Sequence, residues 1–284
     1  MRKPWAILAA ATLTTTLAAC GSPSENAAQQ EGDSDLTTLR IGVNPVPHGD
    51  ILGFVQENLA EEAGLNLEIV EIADYNQPNP QLAEGALDAN YFQHRVFLGE
   101  WQAANPDDEL VYVSDVHVER LGLYSTKVED VADIPEGAEI AVPNDAANLD
   151  RALTTLEAEG LITVDPEAGA LATEKDIADN PKDIKVTPLE AAQLPRSLGD
   201  VDAAVVNGNY AIEADLATEA NTLAWEPDGG ADYVENYANG LVVRAEDQDD
   251  PAVTKLAELL HSDEVVSYIE ETWQGVVFPV ENQA

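Results

Sequence analysis

The sequence predicts an α/β protein of two lobes. Two observations carry this expectation. Strand-like and helix-like patterns alternate along the chain, the mark of a sheet covered by helices. About 245 residues follow a polar leader, enough for two units of roughly 100–150 residues each.

The chain opens with Arg2 and Lys3, an apolar stretch over residues 5–11, and small and hydroxyl residues to Ala19. Leu17-Ala18-Ala19-Cys20 closes it. This is the pattern of a secretory signal over residues 1–19 with small residues at the cleavage point. The apolar stretch falls short of the roughly 20 residues that a spanning helix needs. Cys20 is the only cysteine, so no intramolecular disulfide forms. It stands where a bacterial lipobox places the thiol that takes a lipid. The mature protein is thus expected outside the cytoplasmic membrane, tethered to it through Cys20. Residues 20–38 are almost devoid of apolar side chains and read as a flexible tether.

The folded part is expected from Leu39. Residues 39–43 alternate as a strand, and Pro45-Val46-Pro47 ends it. Apolar residues at helical spacing (Ile51, Leu52, Val55, Leu59) predict a helix over 48–63, closed by Gly64. Leu65, Leu67 and Ile69 alternate as a second strand. Asn79-Pro80 reads as an N-cap followed by proline at the first helical position, with the helix running to about Leu87. Further strands are expected over 89–92, 139–142, 184–187, 203–206 and 241–243. Helices are expected over 148–159, 252–260 and 264–273, with Gly160 and Gly275 after the first and last.

There are 54 Asp and Glu against 13 Lys and Arg, a net charge of −41. Such a surface repels nucleic acid, which excludes that class of partner. The acids are dispersed among apolar positions, as on a folded charged surface, and this points to a salty environment in which screening relieves self-repulsion.

Catalytic signatures are missing: no G-x-S-x-G, no H-E-x-x-H and no phosphate loop. The four histidines (His48, His94, His117, His261) have no zinc-ligand spacing, and the acids from Asp247 to Asp250 read as a solvated turn. No enzyme activity, metal or cofactor is expected. Four segments mix residues that a core would not choose. They are Asp88-Ala89-Asn90-Tyr91-Phe92-Gln93-His94, the stretch from Ala141 to Arg151, the stretch from Leu189 to Leu198, and Val205-Val206-Asn207-Gly208-Asn209-Tyr210. Several lie where strands end, the place where α/β sheets bind ligands. Asn148 and Arg151 share one helix face, and an Arg fork near a helix N-terminus suits a carboxylate.

Together these blocks, with Pro45-Val46-Pro47-His48, Val142-Pro143-Asn144-Asp145 and Gln193-Leu194-Pro195-Arg196-Ser197-Leu198, resemble the methionine-binding lipoproteins of the NlpA family. The resemblance runs from the signal to about Arg244. It implies a two-lobe periplasmic-binding-protein-like fold (type II) with the ligand cleft between lobes. Lobe 1 is then expected over 39–118 plus 231–284 and lobe 2 over 119–230, with the chain crossing twice. It implies capture of L-methionine, or of D-methionine, a methionine-containing dipeptide or another hydrophobic amino acid, for an ABC permease and its ATPase. By the same resemblance Arg151 holds the ligand carboxylate with Asn148 beside it. Asn207 and Asn239 bind the ammonium and carboxylate ends, and Tyr75, Phe92, His94 and Phe97 wall the side-chain pocket. A monomer is expected. The chain departs from the family at Asp150, where Gly is common, at Phe97, where Tyr is common, and at Asn44, where Thr is frequent.

Overall fold

The computed structural model describes residues 36–169 and 171–280. The expected signal, Cys20 and the tether up to residue 35 lie outside them.

Thirteen strands are described. In chain order they are β1 (Thr37–Val43), β2 (Leu65–Glu71), β3 (Ala89–His94), β4 (Leu110–Glu119), β5 (Gly122–Ser125), β6 (Glu139–Pro143), β7 (Thr163–Val164), β8 (Ile177–Asp179), β9 (Lys185–Leu189), β10 (Ala203–Val206), β11 (Asn221–Trp225), β12 (Ala238–Arg244) and β13 (Val277–Pro279). A six-stranded sheet has the order β13-β4-β12-β3-β1-β2, and a five-stranded sheet the order β11-β5-β10-β6-β9. β7 and β8 form a separate antiparallel pair. The chain leaves the first sheet at Glu119, enters the second at Gly122, leaves it after Trp225 and returns at Ala238. Two crossings therefore join two α/β lobes.

The sheets are mixed rather than purely parallel. β1 pairs parallel with β2 and β3, but β12 runs antiparallel between β3 and β4. In the second sheet β6 pairs parallel with β9 and β10, while β5 is antiparallel to β10 and β11. β5 and β12, the strands that enter each sheet from a crossing, are the ones that run antiparallel to β10 and β3.

Several element boundaries differ from expectation. β1 starts at Thr37, because Thr37 and Thr38 already pair with Leu65 and Asn66. The first long helix is Asp50–Asn58, shorter than its apolar spacing suggests, with a Pro45–Gly49 turn ahead of it. The next helix is Pro78–Ala83, with Gln77 rather than Asn79 at its N-cap; Pro78 occupies the first turn, and Asn79 turns inward to bond Gln93 and Asn90. Asp250 is a helix cap as well as an acid: it accepts from the N–H groups of Ala252 and Val253 and starts helix Pro251–Leu260. Ser262 caps Asp263–Thr272 in the same way.

Each lobe has its own core. In the first, Ile41, Val43, Tyr91, Leu241 and Val243 of the sheet pack on Ile51, Leu52 and Val55 of one helix and Leu256, Leu260, Val265 and Ile269 of the last two. In the second, Ile140, Val142, Ala203 and Val205 pack on Leu149, Leu153 and Leu156 of helix Ala146–Ala158. No described helix is long and apolar enough to cross a membrane.

Candidate ligand-binding site

The site forms where strand ends of the two sheets face each other. On the first lobe, β3 ends in Phe92, Gln93 and His94. His94 then caps helix Arg95–Ala104, its Nδ1 accepting from the Phe97 N–H at 3.2 Å. On the second lobe, β6 runs into Asp145, which caps helix Ala146–Ala158 by accepting from Asn148 N at 2.9 Å and from Asn148 Nδ2 at 2.8 Å. β10 ends at Val206, and Asn207 opens the short helix Gly208–Glu213. β12 supplies Asn239.

All eight residues singled out in the sequence, Tyr75, Phe92, His94, Phe97, Asn148, Arg151, Asn207 and Asn239, line one narrow cavity of about 20 Å³ between the lobes. Gln93, Glu119, Leu121 and Gly208 complete its wall. One end is aromatic: Tyr75, Phe92 and Phe97 stand 5.7–6.0 Å apart by ring centroids. The other end is polar and buried.

Arg151 is 3% exposed, and its fork is already engaged. Nε donates to Glu226 Oε1 at 2.8 Å and Nη2 to Glu226 Oε2 at 2.7 Å. Nη2 also meets the Glu119 carbonyl and the Tyr233 hydroxyl, while Nη1 donates to Asn148 Oδ1 at 3.1 Å. The Tyr237 ring lies under the guanidinium, 4.6 Å from its centroid. Burial works against the charge, but Glu226 outweighs it and raises the Arg151 pKa above its usual range. The carboxylate beside Arg151 is therefore Glu226 and not Asp150, whose Oδ1 accepts from the Ala172 N–H at 2.9 Å. Among the described residues only Asn148 meets Nη1, which leaves one of its two N–H groups for a ligand.

Asn148 acts as a hub. Its Oδ1 accepts from Arg151 and, at 3.3 Å, from His94 Nε2 on the facing lobe. Burial pushes His94 down to about 3, and the Arg151 charge adds to the effect, so its ring is neutral at physiological pH. Burial likewise pushes Asp145 up to about 6. Other bonds across the cleft are Tyr75 Oη to Asn209 Oδ1 at 2.6 Å and Tyr210 Oη to the Ala73 carbonyl at 3.0 Å.

Sequence reasoning missed Glu226, Glu119 and the pairing of His48 with His117. His48 Nε2 lies 3.1 Å from Asn239 Oδ1 and 3.4 Å from Glu119 Oε1. His117 Nε2 lies 2.8 Å from the same Glu119 oxygen. The three side chains bring ligand-type atoms within 4.8 Å of one another, an arrangement with the composition of a divalent-metal site. The spacing His117-Val118-Glu119 is the available signal, since alternate residues of a strand share a face.

Two α/β lobes, two crossings and a buried cleft holding a cation, amides and an aromatic wall define a solute-binding protein, a class that captures small molecules and does no chemistry on them. A sequence model described as NlpA lipoprotein matches residues 39–281, and the chain belongs to that family. It is 38% identical over 238 residues to the membrane lipoprotein TpN32 of Treponema pallidum, covering 84% of this chain and 86% of the relative. It is 35% identical over 269 residues to the methionine-binding lipoprotein MetQ of Bacillus subtilis, covering 93% of each. It is 34% identical over 272 residues to a protein of Vibrio cholerae named as a probable D-methionine-binding lipoprotein, covering 94% of each. Among solved structures, a nutrient-binding protein from Burkholderia cenocepacia bound to methionine is similar with a TM-score of 0.79 and 39% identity, covering 85% of this chain and 99% of that one.

Proposed function

We propose that this protein is the substrate-binding lipoprotein of an ABC importer. It captures L-methionine between its lobes and delivers it to a permease driven by an ATPase. The observation that carries this reading is the polarity of one cavity: a guanidinium with a spare N–H and buried amides at one end, three aromatic rings at the other. An α-amino acid with an apolar thioether has the same polarity. Aromatic contacts with sulfur contribute about 0.3–1.5 kcal/mol each. In this reading Arg151, oriented by Asn148, takes the carboxylate, Asn207 and Asn239 take the polar ends, and Tyr75, Phe92, His94 and Phe97 enclose the side chain.

The lipid on Cys20 holds the monomer at the outer face of the cell membrane, with residues 1–19 removed and the chain from Cys20 to the start of β1 at Thr37 as tether. Lobe 1 comprises 39–118 and 231–284, and lobe 2 comprises 119–230. The six-stranded sheet, drawn from strands before Arg120 and after Tyr237, supports that division.

The test is calorimetric titration of the form that starts after Cys20, unfolded and refolded to strip carried ligand. L-methionine, D-methionine, leucine and Gly-Met form the panel. Tight binding of L-methionine alone is expected. The names of several relatives favour a second reading in which D-methionine is the cargo. Preference for D-methionine, leucine or Gly-Met would move the assignment to that ligand, and silence towards the whole panel would overturn the amino-acid reading.

A further inference from the structure

The ionised groups of the cleft do not balance. Arg151 is matched by Glu226 through two hydrogen bonds. Glu119 is a second carboxylate in the same wall, 5% exposed. Among the described residues its only ion-pair partners are His48 and His117. Both rings are buried, and no Arg or Lys side chain among the described residues pairs with this carboxylate. Burial raises the Glu119 pKa, and a cationic ligand group beside it would offset that cost and favour the carboxylate form.

The surrounding hydrogen bonds keep Glu119 an acceptor. The Tyr91 hydroxyl contacts His117 Nδ1, and His117 Nε2 meets Glu119 Oε1 at 2.8 Å. With the hydroxyl donating to Nδ1, the ring proton sits on Nε2 and points at the carboxylate. The Asn209 N–H adds a further donor to Glu119.

A second observation points to the same place. Asn207 Oδ1 is buried and has no hydrogen-bond partner among the described residues, although Asn207 lines the cavity beside Glu119. Gly208, the next residue, lies flat against Glu119: a Cβ there would stand 2.9 Å from Glu119 Cβ and 3.2 Å from Oε2. Asn239 differs from Asn207, since its Oδ1 faces His48 Nε2 and its Nδ2 donors remain for an anion.

We propose that the Glu119 carboxylate and Asn207 Oδ1 form the subsite for the ligand's α-ammonium group, with His117 and Tyr91 positioning Glu119. This rests on the reading of the ligand as an amino acid and fixes its direction. The ammonium lies towards Glu119 and Asn207, and the carboxylate towards Arg151 Nη1 and Asn239 Nδ2. The protein then selects ligands with a free amine and rejects deaminated or N-acylated ones.

The experiment is calorimetry of the refolded form with L-methionine, 4-methylthiobutanoate (methionine without its amine) and N-acetyl-L-methionine, repeated with Glu119→Gln. Native protein is expected to bind methionine about thirtyfold or more tightly than either analogue, the range for losing a buried charged partner. Glu119→Gln is expected to lose about that factor for methionine while its affinity for 4-methylthiobutanoate stays nearly constant. Methionine binding that is indifferent to Glu119→Gln overturns the subsite and leaves the importer reading standing. Silence of the native protein towards methionine and every other free amino acid overturns both. Should Glu119→Gln fail to refold, the native protein decides: equal affinity for methionine and 4-methylthiobutanoate overturns the proposal. One divalent metal ion per purified chain, lost in Glu119→Gln, also overturns it, because the ion would then be the missing cation.

Discussion

Tyr75 and Asn209 belong to opposite lobes, and the Tyr75 hydroxyl donates to Asn209 Oδ1 at 2.6 Å. The same ring walls the cavity beside Phe97, so one residue both lines the proposed ligand site and ties the lobes together. Tyr75→Phe keeps the ring and removes the tie, leaving a buried acceptor unpaired. Binding is expected to weaken by about 1–3 kcal/mol, mainly through faster release. Stopped-flow release of methionine checks this; an unchanged release rate contradicts it.

Arg151→Ala removes the proposed carboxylate donor and also strands Glu226 in the interior. Binding should fall by about 2 kcal/mol or more. Stability should fall by about 3–5 kcal/mol, because an uncompensated buried charge remains. Urea unfolding reads the second effect. Arg151→Ala with Glu226→Gln should recover part of the stability without recovering binding.

His94→Ala is expected to weaken binding less than Arg151→Ala. His94 acts through Asn148 Oδ1 and the Phe97 N–H, two contacts that orient neighbours and carry no charge. Calorimetry of both variants gives the ranking, and the reverse order would make His94 a principal ligand contact.

Stability should decline as pH falls below about 6.5. His48, His94 and His117 have pKa values lowered to about 4, 3 and 3 by burial. The unfolded chain binds protons at these sites first, so their contribution is complete above about 6.5 and is lost towards those lower values. Glu119 and Asp145, both raised by burial, act in the opposite sense and offset part of this loss. A melting temperature that is level from pH 7 to 5 would contradict this.

Melting temperature should rise with NaCl, since the chain carries a net charge of −41 and like charges crowd its surface. A flat or falling series would show that the acids are already compensated.

Much of the site was legible because its residues sit in contiguous blocks at strand ends. Phe92 and His94 close one strand, Asn148 and Arg151 share the first turns of a helix, and Asn207 follows another strand. Their polarity amid apolar runs is a local signal. Glu226 gave none: it is a single acid 75 residues from Arg151, in a chain with 54 acids. The link between His48 and Asn239 spans 191 residues and exists only once β12 has inserted into the sheet beside β3. The antiparallel strands were hidden for a related reason. β12 is apolar over Leu241-Val242-Val243, and a short apolar run carries no information about the direction of its neighbours. Gly240 within that strand was equally silent, although a Cβ there would fall onto the Ser114 carbonyl oxygen and the Tyr112 ring of β4.

Glu226 stands on the second crossing, and the first crossing bonds to it directly: Leu121 N donates to its Oε2 at 3.1 Å, and Arg120 donates to its carbonyl. These bonds tie the two crossings to each other, and Arg151 is fastened to the same carboxylate through Nε and Nη2. The cation is therefore held in place by protein groups at the junction of the lobes. Tyr75, Phe92 and Phe97 stand on the other side, in the part of the chain before the first crossing. If the lobes turn about the crossings, the aromatic wall and not the guanidinium is expected to register it.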